Sequence, residues 1–193
     1  KFYRLNHLYY IVNKDGEDVP FVMNDSQCHF YENRHNKNII LKARQMGFST
    51  LMCILFLDEV LFQPNKKAVI IAHSLDDAQS LLLTKVKYPY QRAREEFPGL
   101  FEGITVVKET TTEMHFSNGS VIAVDTTVRG GTVQYLHVSE FGKICATAIN
   151  KANEIVAGAF NAIAKGGFLT IESTAEGNSG FFYDYTMDAR AIQ

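Results

Sequence analysis

Apolar and polar positions along the chain fall into short runs with two periods. Asn38-Ile39-Ile40-Leu41, Ala68–Ala72, Val133–Val138 and Gly167–Glu172 are compact apolar stretches of strand length, fit for burial on both faces of a sheet. Between them lie longer segments with helical spacing, at Ser49–Phe62, Leu75–Phe97 and Ala146–Ala159, and a last helix is predicted to begin near Gly180. Pro89 predicts a kink or break in the second of these helices. Strands alternating with helices predict an α/β fold: a mostly parallel central sheet with helices on both faces.

Two hairpins are added to that core. Leu8–Val12 and Val19–Val22 flank the turn Asn13-Lys14-Asp15-Gly16, within an otherwise extended entry. Ile104–Val107, Thr111–Phe116 and Val121–Val124 are strand-like, and the last two meet at Ser117-Asn118-Gly119, a hairpin turn. Asn24-Asp25-Ser26 supplies N-cap chemistry for a short helix over Gln27–Asn36.

Composition narrows the class. The 193 residues carry 19 basic and 21 acidic side chains, a formal charge of −2, which argues against a general basic coat but not against a local basic patch. The 46% apolar content is enough for a core, and one domain is expected at this length. Cys28, Cys53 and Cys145 have no metal-like spacing and read as reduced thiols. No leader-like segment opens the chain, and no apolar run approaches the ~18–20 residues that span a bilayer. The best run, Leu51–Phe62, contains Asp58 and Glu59.

Candidate chemistry gathers at strand ends, where α/β sheets bind ligands. Lys42-Ala43-Arg44-Gln45-Met46-Gly47-Phe48-Ser49-Thr50 follows a strand and opens a helix, the setting of a phosphate-binding loop. Against the standard G-x-x-x-x-G-K-[ST], Lys42 stands at the first glycine and Phe48 at the lysine. Lys42 or Arg44 then supplies the cation from the other end of the loop, and Ser49 sits where a hydroxyl ligates magnesium. The strand Val133–Val138 ends in Ser139-Glu140, which leaves Glu140 as candidate base and Ser139 as a partner for a metal-bound water. Thr170-Ile171-Glu172-Ser173-Thr174 ends a third strand in small hydroxyl residues able to bond a γ-phosphate. The order of the three segments is that of a P-loop ATPase with an extra strand. His73, His115 and His137 share no ligand spacing and read as packed or surface residues. Asp184 and Asp188 read as surface helix charges.

Taken together, these segments resemble the ATPase domain of the large terminase subunit of tailed bacteriophages, over roughly residues 21–185. The Lys42–Thr50 wording is similar to that family's deviant Walker A, Val138-Ser139-Glu140 to its Walker B, and Glu172–Gly177 to its coupling motif. Asn24-Asp25-Ser26-Gln27 is similar to its adenine-sensing glutamine segment, and Val128-Arg129-Gly130-Gly131 to its Arg-Gly turn.

The resemblance implies a P-loop NTPase of the additional-strand (ASCE) type with ATP and Mg2+ as cofactors. Residues 1–37 would form the entry and adenine side, and 38–193 the P-loop core. The family's C-terminal nuclease domain is expected to be absent from this chain. Gln27 and the loop from Lys42, Ala43, Arg44, Gln45, Met46, Gly47 and Phe48 to Ser49 and Thr50 would bind the nucleotide. Ser49 would bind the metal directly, with Ser139 and Glu140 reaching it through water. Glu140 would activate water, Arg129 would be an arginine finger for a neighbouring subunit, and Ser173 and Thr174 would couple hydrolysis to movement.

The implied partners are double-stranded DNA, the portal protein, the small terminase subunit and further copies in a ring, expected to be a pentamer, on a prohead in the host cytoplasm. Lys85, Lys87, Arg92, Arg94, Lys143, Lys151 and Lys165 are the basic positions from which DNA phosphates could be gripped. Two other readings accompany this one: a nucleotide-dependent ring-assembly module with little hydrolysis, favoured by Ser139, and one lobe of a helicase-like ATPase.

Overall fold

The computed structural model describes residues 1–128 and 130–191. In chain order it runs α1 (Phe2–His7), β1 (Tyr10–Val12), β2 (Asp18–Pro20), α2 (Asp25–Asn33), β3 (Lys37–Leu41), α3 (Phe48–Phe62), β4 (Lys67–Ile71) and α4 (Leu75–Leu82). A π-turn (Leu83–Lys87) leads into α5 (Tyr88–Glu96). Then come β5 (Val106–Glu109), β6 (Glu113–Phe116), β7 (Val121–Asp125), β8 (Val133–Val138), α6 (Phe141–Thr147), α7 (Ile149–Glu154), β9 (Ile163–Ser173) and α8 (Phe181–Ala191).

Seven strands form one sheet in the order β3-β9-β8-β4-β7-β6-β5. The pairs from β3 to β7 are parallel, and β6 and β5 add an antiparallel edge. β9 therefore lies between the strand of the candidate phosphate loop and β8. That extra strand is the arrangement the order of motifs predicts. β1 and β2 form a separate antiparallel pair.

Each sheet face has its own core, because successive side chains point to opposite faces. Ala68 and Ile70 of β4 join a cluster with α3, while Val69 and Ile71 join one with Phe141, Ile144 and Phe182 of α6 and α8. α3 is buried around nearly its whole circumference, as its unbroken apolar sequence requires. Its two acids are neutralised from α1, which forms where an extended entry is expected. Arg4 grips Asp58 with two bonds of 2.9 and 3.0 Å, Tyr9 donates to it at 3.0 Å, and Lys1 pairs with Glu59.

Other differences are local. Pro89 does not break the helix: the π-turn before it widens the ladder, and the Tyr88 N–H bonds to the carbonyl of Leu83. This accommodates a residue that has no N–H of its own. The helix expected over Ala146–Ala159 begins at Ile149, and a separate helix, α6, precedes it from Phe141, immediately after Glu140, the two broken at the non-helical Ala148. β9 runs longer than its apolar stretch, because Ile163 pairs with Val133 before an irregularity in which β9 carries extra residues ahead of Phe168. No helix among the described residues is long and apolar enough to cross a membrane. The three cysteines are free thiols, and burial pushes Cys53 up to about 12.

Candidate nucleotide site

The carboxyl ends of β3, β9, β8 and β4 lie side by side, with Leu41 opposite Ser173, Val138 opposite Ile171, and Ile71 opposite Val138. The loop from Lys42 to Gly47 leaves β3 there and enters α3. Gln45 and Gly47 take positive φ values, 64° and 75°. A side chain on Gly47 would place its Cβ 2.8 Å from the Gln27 amide nitrogen, so glycine is required for space as well as for conformation. Phe48 packs beneath the loop, edge-on to Phe30 at 5.8 Å, and Met46 also packs against the core.

Three charged groups meet beneath the loop. The Lys42 Nζ lies 3.0 Å from Glu140 Oε1 and 3.2 Å from Glu172 Oε2. The Lys42 side chain is 7% exposed, Glu172 is fully enclosed and Glu140 is 34% exposed. Burial alone would lower the Lys42 ammonium, but Glu172 and Glu140 more than offset it and raise the group. Burial would likewise push the Glu172 carboxyl up. His137, the Ser49 hydroxyl and Lys42 outweigh that and hold it at about 2. Glu172 is therefore a buried carboxylate, its charge kept by its neighbours.

Two hydroxyls complete the cluster. Ser49 donates to Glu172 Oε1, Ser139 donates to the same oxygen at 3.1 Å, and the two hydroxyl oxygens are 3.4 Å apart. Glu140 occupies the N-cap of α6 with φ 53° and ψ 43°, an uncommon conformation for a residue with a side chain. It makes no side-chain cap bond and turns to Lys42 instead. Strained backbone of this kind clusters at functional positions.

The cleft above these residues, about 620 Å³, is lined by Lys42, Arg44, Gln45, Glu140, Lys143, Thr147, Thr174 and Glu176. A second cavity beside it is lined by Ser49, His73, Asp77, Lys85, Ser139, Glu140 and Lys143, so Glu140 and Lys143 border both. Of the expected site residues, Lys42, Arg44, Ser49, Ser139, Glu140 and Thr174 are thus gathered in one place. Ser173 is not on the cleft: it is buried on the opposite sheet face, where a Cβ on Gly142 of α6 would come within 2.7 Å of its hydroxyl. Thr50 lines a separate cavity with Ile11 and Tyr88. Arg129 lies outside the described residues.

Gln27 is buried with both ends of its amide engaged. Its oxygen accepts from the Asn24 N–H at 2.9 Å and its nitrogen donates to the Gly47 carbonyl at 2.9 Å. The first bond is half of a capping box on α2, and the second pins the end of the loop. Glu172 is the site residue that motif reading left without a role. Its signal is present in the sequence, a carboxylate ending the apolar run Phe168-Leu169-Thr170-Ile171.

Several basic residues are committed elsewhere. Lys87 pairs with Glu109, Arg92 with Asp18 and Glu95, and Lys151 donates to the Ala72 and His73 carbonyls at 2.9 and 2.7 Å. Among the described residues no cluster of three or more His, Cys, Asp or Glu is arranged to hold a metal ion by itself. A cation here would share its shell with a ligand. The oxygen-only set of two hydroxyls and carboxylates suits magnesium, which is bound through one or two carboxylates together with substrate phosphates.

A mostly parallel sheet with an inserted strand and a candidate phosphate loop at its carboxyl edge is the architecture of a P-loop α/β fold. No family model matches the chain, and no curated protein matches it. Among solved structures, it carries the fold of phage large terminase ATPase domains. The HK97 bacteriophage large terminase superposes with a TM-score of 0.71 and 16% identity, over 99% of this chain and 41% of that one. The Thermus phage P74-26 large terminase ATPase domain gives 0.64 and 19%, over 86% of this chain and 69% of that one. The large terminase of a thermophilic bacteriophage, solved in complex with ATP-gamma-S, gives 0.53 and 12%, over 82% and 37%. The chain thus spans about two fifths of the length of the HK97 protein.

Proposed function

We propose that this chain is the ATP-hydrolysing motor domain of a terminase large subunit, moving double-stranded DNA into a prohead. The observation that carries the proposal is the convergence of Lys42 and Ser49 from the loop with Ser139 and Glu140 from the end of β8, at the carboxyl ends of the strands that flank β9. Fold likeness to terminase ATPase domains supports it.

In this reading the loop N–H groups and the start of α3 bind phosphate oxygens. Lys42 exchanges its carboxylate partners for the phosphates. Glu140, freed from Lys42, accepts a proton from the attacking water or orients it. Ser49, with Ser139 and Glu140 through water, would hold magnesium, which when bound would supply neutralisation of phosphate charge. Gln27 holds the loop end and stands beside the adenine side. Thr174 faces the γ-phosphate position, and Ser173 passes the change to α6. Arg129 acts in a neighbouring subunit's site, within a ring of copies on the portal that works with the small subunit. Lys85, Lys143 and Lys165, for which no ion pair stands among the described contacts, are the better DNA candidates.

The test is steady-state Mg-ATP hydrolysis against protein concentration, with Glu140→Gln alongside. A rate per subunit that rises with concentration and falls about 10²–10⁴-fold in the variant supports the motor. Arg129→Ala should bind nucleotide normally and turn over slowly, with rescue on mixing with Glu140→Gln. A second reading has its own observation: Ser139 stands where a carboxylate is usual, so nucleotide would order a ring interface with little hydrolysis. Equal, near-zero rates in wild type and Glu140→Gln under ring-forming conditions would favour it.

A further inference from the structure

We propose that Glu172, from the strand next to Ser139, supplies the carboxylate that holds the water shell of the nucleotide's divalent cation, and that the small side chain of Ser139 is what leaves room for it. The inference rests on the nucleotide-binding reading above and adds a residue to that site.

The geometry comes from strand register. Val138 of β8 lies opposite Ile171 of β9. One step further brings Ser139 beside Glu172, and their side chains meet at 3.1 Å. The carboxylate thus stands one strand over from the position at the end of β8. Ser49, on the first turn after the loop, bonds the same carboxylate oxygen. Three oxygens from three elements meet in one enclosed cluster beside the cavity that Ser49 and Ser139 line, a set matched to a hard cation that retains part of its water shell.

The other carboxylate oxygen, Oε2, is buried without a hydrogen bond and faces Lys42 Nζ at 3.2 Å. His137, also buried, stands behind the group with Nε2 3.6 Å from Oε1, while its Nδ1 lies 3.3 Å from the Thr170 carbonyl. A ring fixed in this way orients the carboxylate, as partners behind metal-binding groups do.

Ser139 is then explained by exclusion. An acid at 139 would put a second carboxylate against Glu172 in an enclosed space, where two such groups cannot both stay ionised. Beside the Ser49 hydroxyl the cluster holds one enclosed carboxylate, on either strand, while Glu140, the other partner of Lys42, stays partly exposed.

The experiment measures ATP-gamma-S affinity in excess Mg2+ and in EDTA, by calorimetry, with thermal melting as the check on folding. Glu172 also pairs with Lys42, so each variant is compared with itself: in Glu172→Gln the ratio of Mg2+ to EDTA affinity should fall about tenfold or more, whatever its EDTA affinity. Moving the acid back with Ser139→Asp/Glu172→Gln should restore that gain. An unchanged gain in Glu172→Gln overturns the inference. So does a loss that the double variant fails to recover, since a purely structural role would give that result. Pulsed EPR of Mn2+–ATP-gamma-S on protein labelled with 13C-carboxyl glutamate needs no change at 172. A carboxyl coupling that persists in Glu140→Gln supports the assignment, and its disappearance overturns it. Absence of ATP-gamma-S binding by the wild type would overturn the nucleotide reading itself.

Discussion

The Lys42 ammonium lies 3.0 Å from Glu140, so the cation that opens the loop and the carboxylate that follows β8 neutralise each other when no phosphate is between them. A second carboxylate, Glu172, holds the same ammonium from below at 3.2 Å. On the proposed reading, phosphate binding at this loop would therefore require Lys42 to exchange partners.

Lys42→Ala should remove the loop's buried cation and leave two carboxylates facing the phosphates. ATP affinity is expected to fall by more than about tenfold, since one close charge pair is worth more than about 1.4 kcal/mol when partly buried. Titration with a fluorescent ATP analogue measures this. Unchanged affinity would move the phosphate role to Arg44.

Glu172 gives stability an acid dependence. Its carboxyl sits at about 2 in the folded chain against an ordinary value of 4.5. A depressed carboxyl stabilises the fold above 4.5, and that contribution is lost as pH falls from there toward 2. The full amount is about 3 kcal/mol at most. Urea unfolding at pH 7, 4.5 and 3 should show the decline, and Glu172→Gln should flatten it.

Gly47→Ala should strain the loop twice, through its positive φ and through the contact with Gln27. The expected cost is about 1–3 kcal/mol in stability, with weaker nucleotide binding. Gln27→Ala should relieve the contact but free the loop end. The double variant should then be more stable than the sum of its two single changes predicts.

Arg4→Ala should leave Asp58 buried with only Tyr9 to satisfy it. Breaking one partner out of a buried pair costs about 3–5 kcal/mol, so a large drop in melting temperature is expected. Asp58→Asn should cost less, because the amide needs no counter-charge.

Much of this arrangement was legible in the residues. Short apolar runs with turn residues between them place the parallel strands, and the wording around Gly47 and Glu140 places the loop and the candidate base. Three features were not legible, two because a partner distant in sequence decides them and one because a local change in the helix ladder does. α1 forms because Arg4 and Lys1 find the acids of α3, more than fifty residues away. The helix continues past Pro89 because the π-turn relaxes the ladder before it. Glu172 becomes part of the site because the register of β9 against β8 sets it beside Ser139, and the order of motifs, which predicts the extra strand, does not fix that register. Gln27 shows the same limit: its residue type suits an adenine edge, while its contacts hold a backbone loop.

Glu172 and Ser173 are consecutive, yet one faces the loop and α3 and the other is pressed against Gly142 of α6. A single peptide unit therefore crosses the whole thickness of the sheet. In a close-packed interior such a unit has no slack. On the proposed nucleotide reading it would act as a rigid axle: a tilt of β9 set by the contents of the cleft would be carried to α6 on the opposite side, with no hinge or flexible linker between them.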